Sequence, residues 1–286
     1  MDFIEEQLRA DLIAVFDDPG YRPPVLPTVA LDVMALAEQE DSDVGEIVTL
    51  LERDQMLAAS VLRLVSSPLY AGHTPIRSLK AAVLRLGVRT IRDVVFEAAI
   101  ARGVFQVGEY VDTLGSVARH STLTAYITRI VCRRAAIDAD LAFICGLLHD
   151  VGFAGLLLAV KHVEGSEAPP LAAIWRHIDH LHEQASRMLV ERWGLPRDVV
   201  EIVGHHHHLH TGLTARVASA VRIADHLTEY FKTSVTGPRV NGEPLPGDLI
   251  DVFDLETASA ELGLDDADVK NILTEAERTI PDIAVL

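Results

Sequence analysis

His149 and Asp150 stand side by side inside GLLHDVGFAGLLLAV, residues 146 to 160, where almost every other side chain is apolar. An ionised carboxylate out of water is costly unless a partner or a cation compensates it. Imidazole and carboxylate are also metal ligands, so the first chemistry this pair suggests is the binding of a divalent ion. The question is what else in the chain points at the same place.

Three further polar residues lie on apolar helical stripes. His120 lines up with Leu123, Ile127 and Ile130 in HSTLTAYITRIV, and His182 with Ala185, Leu189 and Trp193 in HEQASRMLVERW. Asp225 follows Val217 and Val221 at intervals of four in RVASAVRIADHL. Spacings of three and four put these residues on one face of a helix, the buried one. A further helical segment, PRDVVEIVGHHHHLH, ends in a histidine cluster. Each feature alone has a plainer reading. A single inward histidine is commonly a hydrogen-bonded core residue, and a histidine cluster at a helix end suits the dipole there. Mutual His–Asp pairing without metal would also satisfy Asp150 and Asp225. The conjunction favours a metal centre built from facing helices, and the mixed N/O donor set leaves iron, manganese, nickel, zinc and magnesium open.

The elements that must carry these residues are helical. Periodic segments have helical spacing and clear strand alternation is absent, so the fold class expected is all-α, a two-lobed helical bundle. DVGEIVTLLERD opens with Asp43 three residues before Glu46, a capping-box-like start. QMLAASVLRLVSSPLY stops near Pro68, and two helices meet near Gly87. The expected division is a helical lobe over 1–110, a bundle carrying the His/Asp cluster over 111–235, and a Gly/Pro linker with C-terminal helices over 236–286.

Composition narrows the partners. Of 286 residues, 49% are hydrophobic but only 5% aromatic, so the core is built from Leu, Val, Ala and Ile. Lys plus Arg number 25 against 42 Asp plus Glu, a formal charge of -17. That field repels phosphate backbones and anionic membranes, so neither direct nucleic-acid binding nor membrane binding is expected. Phe143 to Val160 approaches the length of a membrane span, yet Asp150 at its midpoint would cost roughly 2.5–3.5 kcal/mol there. The N-terminus, MDFIEEQLRADL, lacks the basic-then-apolar pattern of a signal peptide. Cys132 and Cys145 sit in apolar helical patterns and make no disulfide framework, which fits a reducing cytoplasm.

The order His120, His149-Asp150 and Asp225 resembles the HD superfamily of metal-dependent phosphohydrolases. His182 stands where HD-GYP-type domains carry an extra histidine, and WGLPRDVVEIVGHH is similar to the stretch that ends in a histidine pair. In that register the pair is His205 and His206; a register one residue later stays open. Adjacent helical residues point about 100° apart, so the pair would serve two different ions. The first lobe narrows the resemblance to the HDOD domain: Leu26-Pro27, Asp54, Ser67-Pro68-Leu69-Tyr70, and Ile76-x-Ser78-Leu79 running into Leu86-Gly87. Ser66 replaces the usual asparagine.

The resemblance implies an HD-like core and a bacterial signal-transduction module. Its expected metal ligands are His120, His149, Asp150, His182, His205, His206 and Asp225, holding a binuclear divalent centre with iron or manganese favoured. The partner expected is an unidentified signalling protein, and a homodimer is possible. Many HDOD proteins have lost this ligand set, whereas this chain keeps it. It departs from the active HD-GYP pattern, which continues His-Asp with x-Gly-Lys; here Val151, Gly152 and Phe153 follow. Ser116 stands where some trimetal members have a carboxylate, and no Gly-Tyr-Pro follows the histidines. Two functions therefore stand: a regulatory protein acting mainly by partner binding, or a phosphodiesterase or phosphatase with Asp150 as the central catalytic carboxylate. In the second, His177, His180 or His207 are the candidates for proton donor.

Overall fold

The structure, a computed structural model, describes residues 2–39, 42–70, 74–105, 110–137, 140–164, 169–208, 212, 214–228, 231, 239–240, 243–244 and 252–283. The architecture is all-α, as the periodicity predicts, apart from a two-residue antiparallel pair of Arg239–Val240 with Glu243–Pro244. Most of the Gly/Pro linker expected from residue 236 onward lies outside the described residues. The chain divides into two units, residues 25–104 with 276–286, and residues 1–24 with 105–275.

The smaller unit holds α2 (Thr28–Ala37), α3 (Val44–Glu52), α4 (Gln55–Val65), α5 (Leu79–Leu86) and α6 (Val88–Gly103), preceded in the chain by α1 (Asp2–Ala14) of the other unit. Side-chain caps start three of them: Asp43 accepts from the Gly45 N–H at 2.7 Å, Asp54 from Leu57 at 2.9 Å and Ser78 from Ala81 at 3.1 Å. Such caps satisfy amide donors that the first helical turn leaves open. Gly87 ends α5 with φ +80°, a conformation an L side chain resists, and so lets α6 start at once. α2, α4 and α5 pack on α6, which is buried from Ile91 through Ile100. That burial includes the Arg92–Asp93 ion pair at 2.8 Å.

The larger unit comprises α1, α7 (Val111–Arg134), α8 (Ala142–Leu148), α9 (Gly152–Glu164), α10 (Leu171–Arg192), α11 (Arg197–Val203), α12 (Ala215–Thr228), α13 (Val252–Leu262) and the first part of α14 (Asp266–Ile283). α7 packs on α8 and α12, α9 on α10, α10 on α11, and α12 on α13. The contacts group two segments differently from the expected division. Residues 1–24 join this unit, because α1 packs on α9 and α10 and buries Leu12, while Phe16 beyond it is buried as well. Tyr21 Oη donates to the Gly155 carbonyl at 2.7 Å, and Trp193 Nε1 to the Pro24 carbonyl at 3.1 Å. The C-terminal helices are not a separate segment either: α13 lies on α12, Ser219 bonds Glu261, and Arg134 pairs with Asp268 at 2.7 Å.

The apolar run is this unit's core. Among the described residues one stretch, Ala142–His162, is long and apolar enough to cross a membrane, and nearly all of its apolar part is buried inside the protein. It is also not one regular helix. Backbone bonds Val151 N to Leu148 O, Phe153 N to Asp150 O and Ala154 N to Val151 O, each 3.1 Å, span three residues rather than four. This tightened turn separates α8 from α9 and carries His149 and Asp150.

Candidate metal centre

Four elements of the larger unit deliver the polar cluster. α7 supplies His120, the turn between α8 and α9 supplies His149 and Asp150, α10 supplies His182, and α12 supplies Asp225. The turn after α11 adds two of its histidines. The side chains of His120, His149, Asp150, His182, His206 and Asp225 are all less than a tenth exposed.

Asp150 stands between two groups of imidazoles. Its Oδ2 lies 3.5 Å from His120 Nε2 and 3.4 Å from His149 Nε2. Its Oδ1 lies 3.5 Å from both His182 Nε2 and His206 Nε2. Asp225 Oδ1 closes the first group, 2.9 Å from His120 Nε2 and 3.6 Å from His149 Nε2. His207 closes the second, its Nε2 3.0 Å from that of His182. Each group gathers three ligand atoms within the reach of a single ion: His120, His149 and Asp150 in one, His182, His206 and His207 in the other.

The proton positions follow from the other ring nitrogens. His149 Nδ1 faces the Gly146 carbonyl at 2.8 Å, His206 Nδ1 the Val203 carbonyl at 2.9 Å, and His182 Nδ1 the Asp179 carbonyl. A carbonyl only accepts, so each Nδ1 carries the hydrogen. His120 Nδ1 lies 3.0 Å from Thr228 Oγ1, whose own hydrogen goes to the Asp225 carbonyl, so His120 also donates from Nδ1. In the neutral rings all four Nε2 atoms therefore present lone pairs. Yet His120 and His149 Nε2 are 3.1 Å apart, and those of His182 and His206 3.2 Å. Lone pairs and carboxylate oxygens packed this closely demand positive charge among them. Backbone-anchored imidazoles with inward Nε2 are also how proteins orient metal ligands. The donor set of these groups fits a divalent metal ion.

Without metal, protons must supply the charge. Burial opposes a charged His149, but Asp150 and Asp225 outweigh it and raise its pKa to about 9. Burial likewise works against ionised Asp150 and Asp225, and the surrounding histidines reverse it, holding both carboxyls below their ordinary range. His207 is driven the other way, to about 2, by burial and then by His206 and His182.

Of the two histidine registers left open by the sequence, the structure brings together the later one. The structure brings His206 and His207 to the cluster and leaves His205 outside, with Nδ1 3.3 Å from the Glu201 carbonyl of its own helical turn. The physical reason is Glu183, the residue after His182. Its carboxylate accepts the His207 backbone N–H at 2.7 Å and lies 3.3 Å from His208 Nε2, anchoring the turn one residue on. Glu183 escaped the sequence reading because it sits one position off the inward stripe of α10. Of the other histidines considered, His177 is buried and accepts from Arg9 Nε at 3.3 Å, and His180 is exposed. Ser116 bonds Arg119 on the surface of α7.

An aromatic wall backs the second group. Phe153 stacks on His182 with ring centroids 4.7 Å apart and planes 8° from parallel, and on Trp175 at 5.3 Å and 7°. Trp175, Ile178 and His182 share one stripe of α10, but the sequence reading did not single out Trp175, and its stacking on Phe153 of another helix does not follow from spacing.

The sequence profile of the HDOD domain matches residues 24–209. This chain belongs to the HDOD domain family. An HDOD domain protein of unknown function from Geobacter sulfurreducens superposes with a TM-score of 0.72 at 24% identity, covering 97% of this chain and 96% of that one. A candidate metal-dependent phosphohydrolase from Shewanella amazonensis SB2B gives 0.73 at 18% identity, with 96% and 97% covered. At these identities the likeness concerns the fold alone. Two longer relatives match parts of the HDOD chain. An uncharacterized protein of Treponema pallidum (strain Nichols) is 25% identical over 194 residues, 65% of this chain and 38% of that protein. Ribonuclease Y of Deinococcus radiodurans is 30% identical over 99 residues, 35% of this chain and 14% of the enzyme. The chain thus spans well under half the length of either.

Proposed function

We propose that this HDOD protein is a bacterial signal-transduction module whose larger unit would hold two divalent ions through the histidines and carboxylates around Asp150, and that it acts mainly by binding a protein partner. The observation that carries the reading is the convergence of four Nδ1-anchored imidazoles on the two oxygens of one buried carboxylate. The likeness to HDOD proteins supports a regulatory role. So does Phe153, whose ring lies against His182 where the resemblance to HD-GYP domains leads one to expect a phosphate-neutralising lysine. The charge of -17 disfavours nucleic acid as the partner.

A second reading, a phosphodiesterase or phosphatase, draws on the position of Asp150 between both groups and on the ribonuclease Y and phosphohydrolase likenesses. A divalent pair held there would acidify water and draw charge from phosphoryl oxygens. In that reading His120, His149 and Asp225 would hold metal on one side of Asp150 and His182, His206 and His207 on the other, with Asp150 a ligand available to both.

Metal content measured by mass spectrometry on protein purified without a nickel column tests the first claim. Near two equivalents of iron or manganese, lost in His149→Ala, is the expected result. Metal at trace level with the fold intact in chelator overturns it and leaves a proton-held His–Asp network. Assay of the loaded protein on bis(p-nitrophenyl) phosphate separates the two readings: turnover abolished in Asp150→Ala installs the hydrolase, and no turnover together with capture of a specific partner keeps the regulatory module.

A further inference from the structure

The two groups of ligands are built differently. The ring of His182 lies flat against Phe153, and Phe153 lies flat against Trp175, so three aromatic planes are nearly parallel. Phe153 is 2% exposed and Trp175 1%, so this stack is dry and confined. His120 and His149 have no such backing among their described ring contacts: their own rings meet at 51°. Phe153 also lies three residues after Asp150, at the start of α9, whereas His182 belongs to α10. The stack therefore ties the orientation of a ligand on one helix to the turn that carries the Asp150 carboxylate.

An imidazole ligand is useful only when its lone pair aims at the ion. The Asp179 carbonyl restrains one edge of the His182 ring at Nδ1. A single hydrogen bond still allows the plane to rock about that edge. The face-to-face contact with Phe153 removes that freedom, because tilting the ring would either drive it into the phenyl or open a void in a buried wall. Aromatic stacks of this kind carry geometric preference beyond the area they bury. Partners that orient a ligand from behind commonly change metal affinity about 10–100-fold when removed.

We infer that Phe153, backed by Trp175, is a positioning residue for His182 and thereby decides whether the His182–His206–His207 side holds its ion. The inference rests on the metal-binding reading above and adds an asymmetry: the aromatic wall serves one side of Asp150 and leaves the His120–His149–Asp225 side untouched. Phe153 touches no ion itself. A substitution there acts through the His182 plane.

The test titrates manganese(II) into chelator-treated full-length protein and reads stoichiometry and electron paramagnetic resonance. The parent is expected to take two equivalents and to show the broadened spectrum of a coupled pair. Phe153→Leu, similar in volume but without a ring, is expected to bind one ion as before and the other about 10–100-fold more weakly. Its spectrum at one equivalent would be that of an isolated manganese ion. Phe153→Tyr, which keeps the stack, should restore coupling. Two ions in Phe153→Leu at parental affinities overturn the inference while leaving the metal-binding reading standing. A parent that binds no manganese overturns that reading and the inference with it. Should Phe153→Leu lose its helical circular dichroism, Trp175→Leu, which removes the backing of Phe153, gives the same decision: selective weakening of one ion supports the inference, and two parental affinities overturn it.

Discussion

Gly152 brings the start of α9 so close to His182 on α10 that a Cβ there would lie 2.1 Å from the His182 carbonyl oxygen. The same Cβ would meet Ser186 N at 2.5 Å, and the Gly152 N–H is taken up by Ser186 Oγ at 2.7 Å. Both obstacles nearest the new methyl are backbone, so neither can swing aside. The glycine next to the His149–Asp150 turn is thus a condition for bringing Asp150 and His182 together.

Gly152→Ala should therefore force α9 and α10 apart. Overpacking in a core costs about 1–3 kcal/mol, and contact with rigid backbone places this case at the upper end or beyond. The expected result is a lower urea midpoint with an unchanged slope and loss of ions shared between Asp150 and His182. Ser186→Ala keeps the space but leaves a buried N–H unpaired, which costs about 1–3 kcal/mol. It should bind metal nearly as the parent does. If Gly152→Ala has parental stability and metal content, the close approach does not matter.

The metal-free protein should have a stability maximum near pH 6.5. His149 titrates near 9 in the folded chain against an ordinary value of 6.5. Its contribution is fully present below 6.5 and is lost as pH rises through about 9, amounting to on the order of 3 kcal/mol. His207 titrates near 2 when folded. Between 2 and 6.5 the unfolded chain takes up its proton and the folded one does not, so stability falls there with acid. Asp150 and Asp225, held below their ordinary range, add to that loss once pH drops below about 4. Denaturant midpoints in chelator across pH 4 to 9.5 would show the peak. With metal bound, the alkaline limb should flatten, because ligation requires unprotonated imidazoles.

The parts of the site that the sequence reveals are those governed by helical period. His120, His182 and Asp225 were found because each interrupts an apolar stripe, and all three are buried where that stripe points. The His149–Asp150 pair was visible as a polar break in an apolar run. What spacing cannot show is what happens once a helix ends. α11 stops at Val203, so His205 to His208 lie in a turn whose register is set by the long-range bond from His207 N–H to Glu183, 24 residues away. The same limit explains the domain boundary. The segment 1–24 is amphipathic in sequence, but only tertiary contacts such as Arg9 with His177 and Tyr21 with Gly155 assign it to the second helical set.

Glu183 gives a third prediction. Its carboxylate ties the turn after α11 to α10 and is only 17% exposed. Glu183→Ala removes the acceptor for the His207 N–H and should destabilise the protein by about 1.5–2 kcal/mol, the lower part of the range for bonds to charged groups. It should also loosen the ion on the His206–His207 side about 10–100-fold. Glu183→Gln keeps an acceptor oxygen and should retain more of both. Thermal melts and metal titrations on the two variants, side by side, check the order.

The register of the histidine turn can be decided directly. His205 lies outside the cluster, half-buried against its own helical turn, while His207 Nε2 is 3.0 Å from His182 Nε2. His205→Ala should leave two equivalents of manganese bound, with a stability change within about 0.5 kcal/mol, as for substitutions away from special features. His207→Ala should lose one equivalent and keep the other, because His120, His149, Asp150 and Asp225 do not depend on it. His206→Ala should behave like His207→Ala. The opposite pattern, with His205→Ala losing an ion and His207→Ala keeping both, would restore the register read from the sequence. It would also mean that the Glu183 bond to His207 does not hold the turn in place.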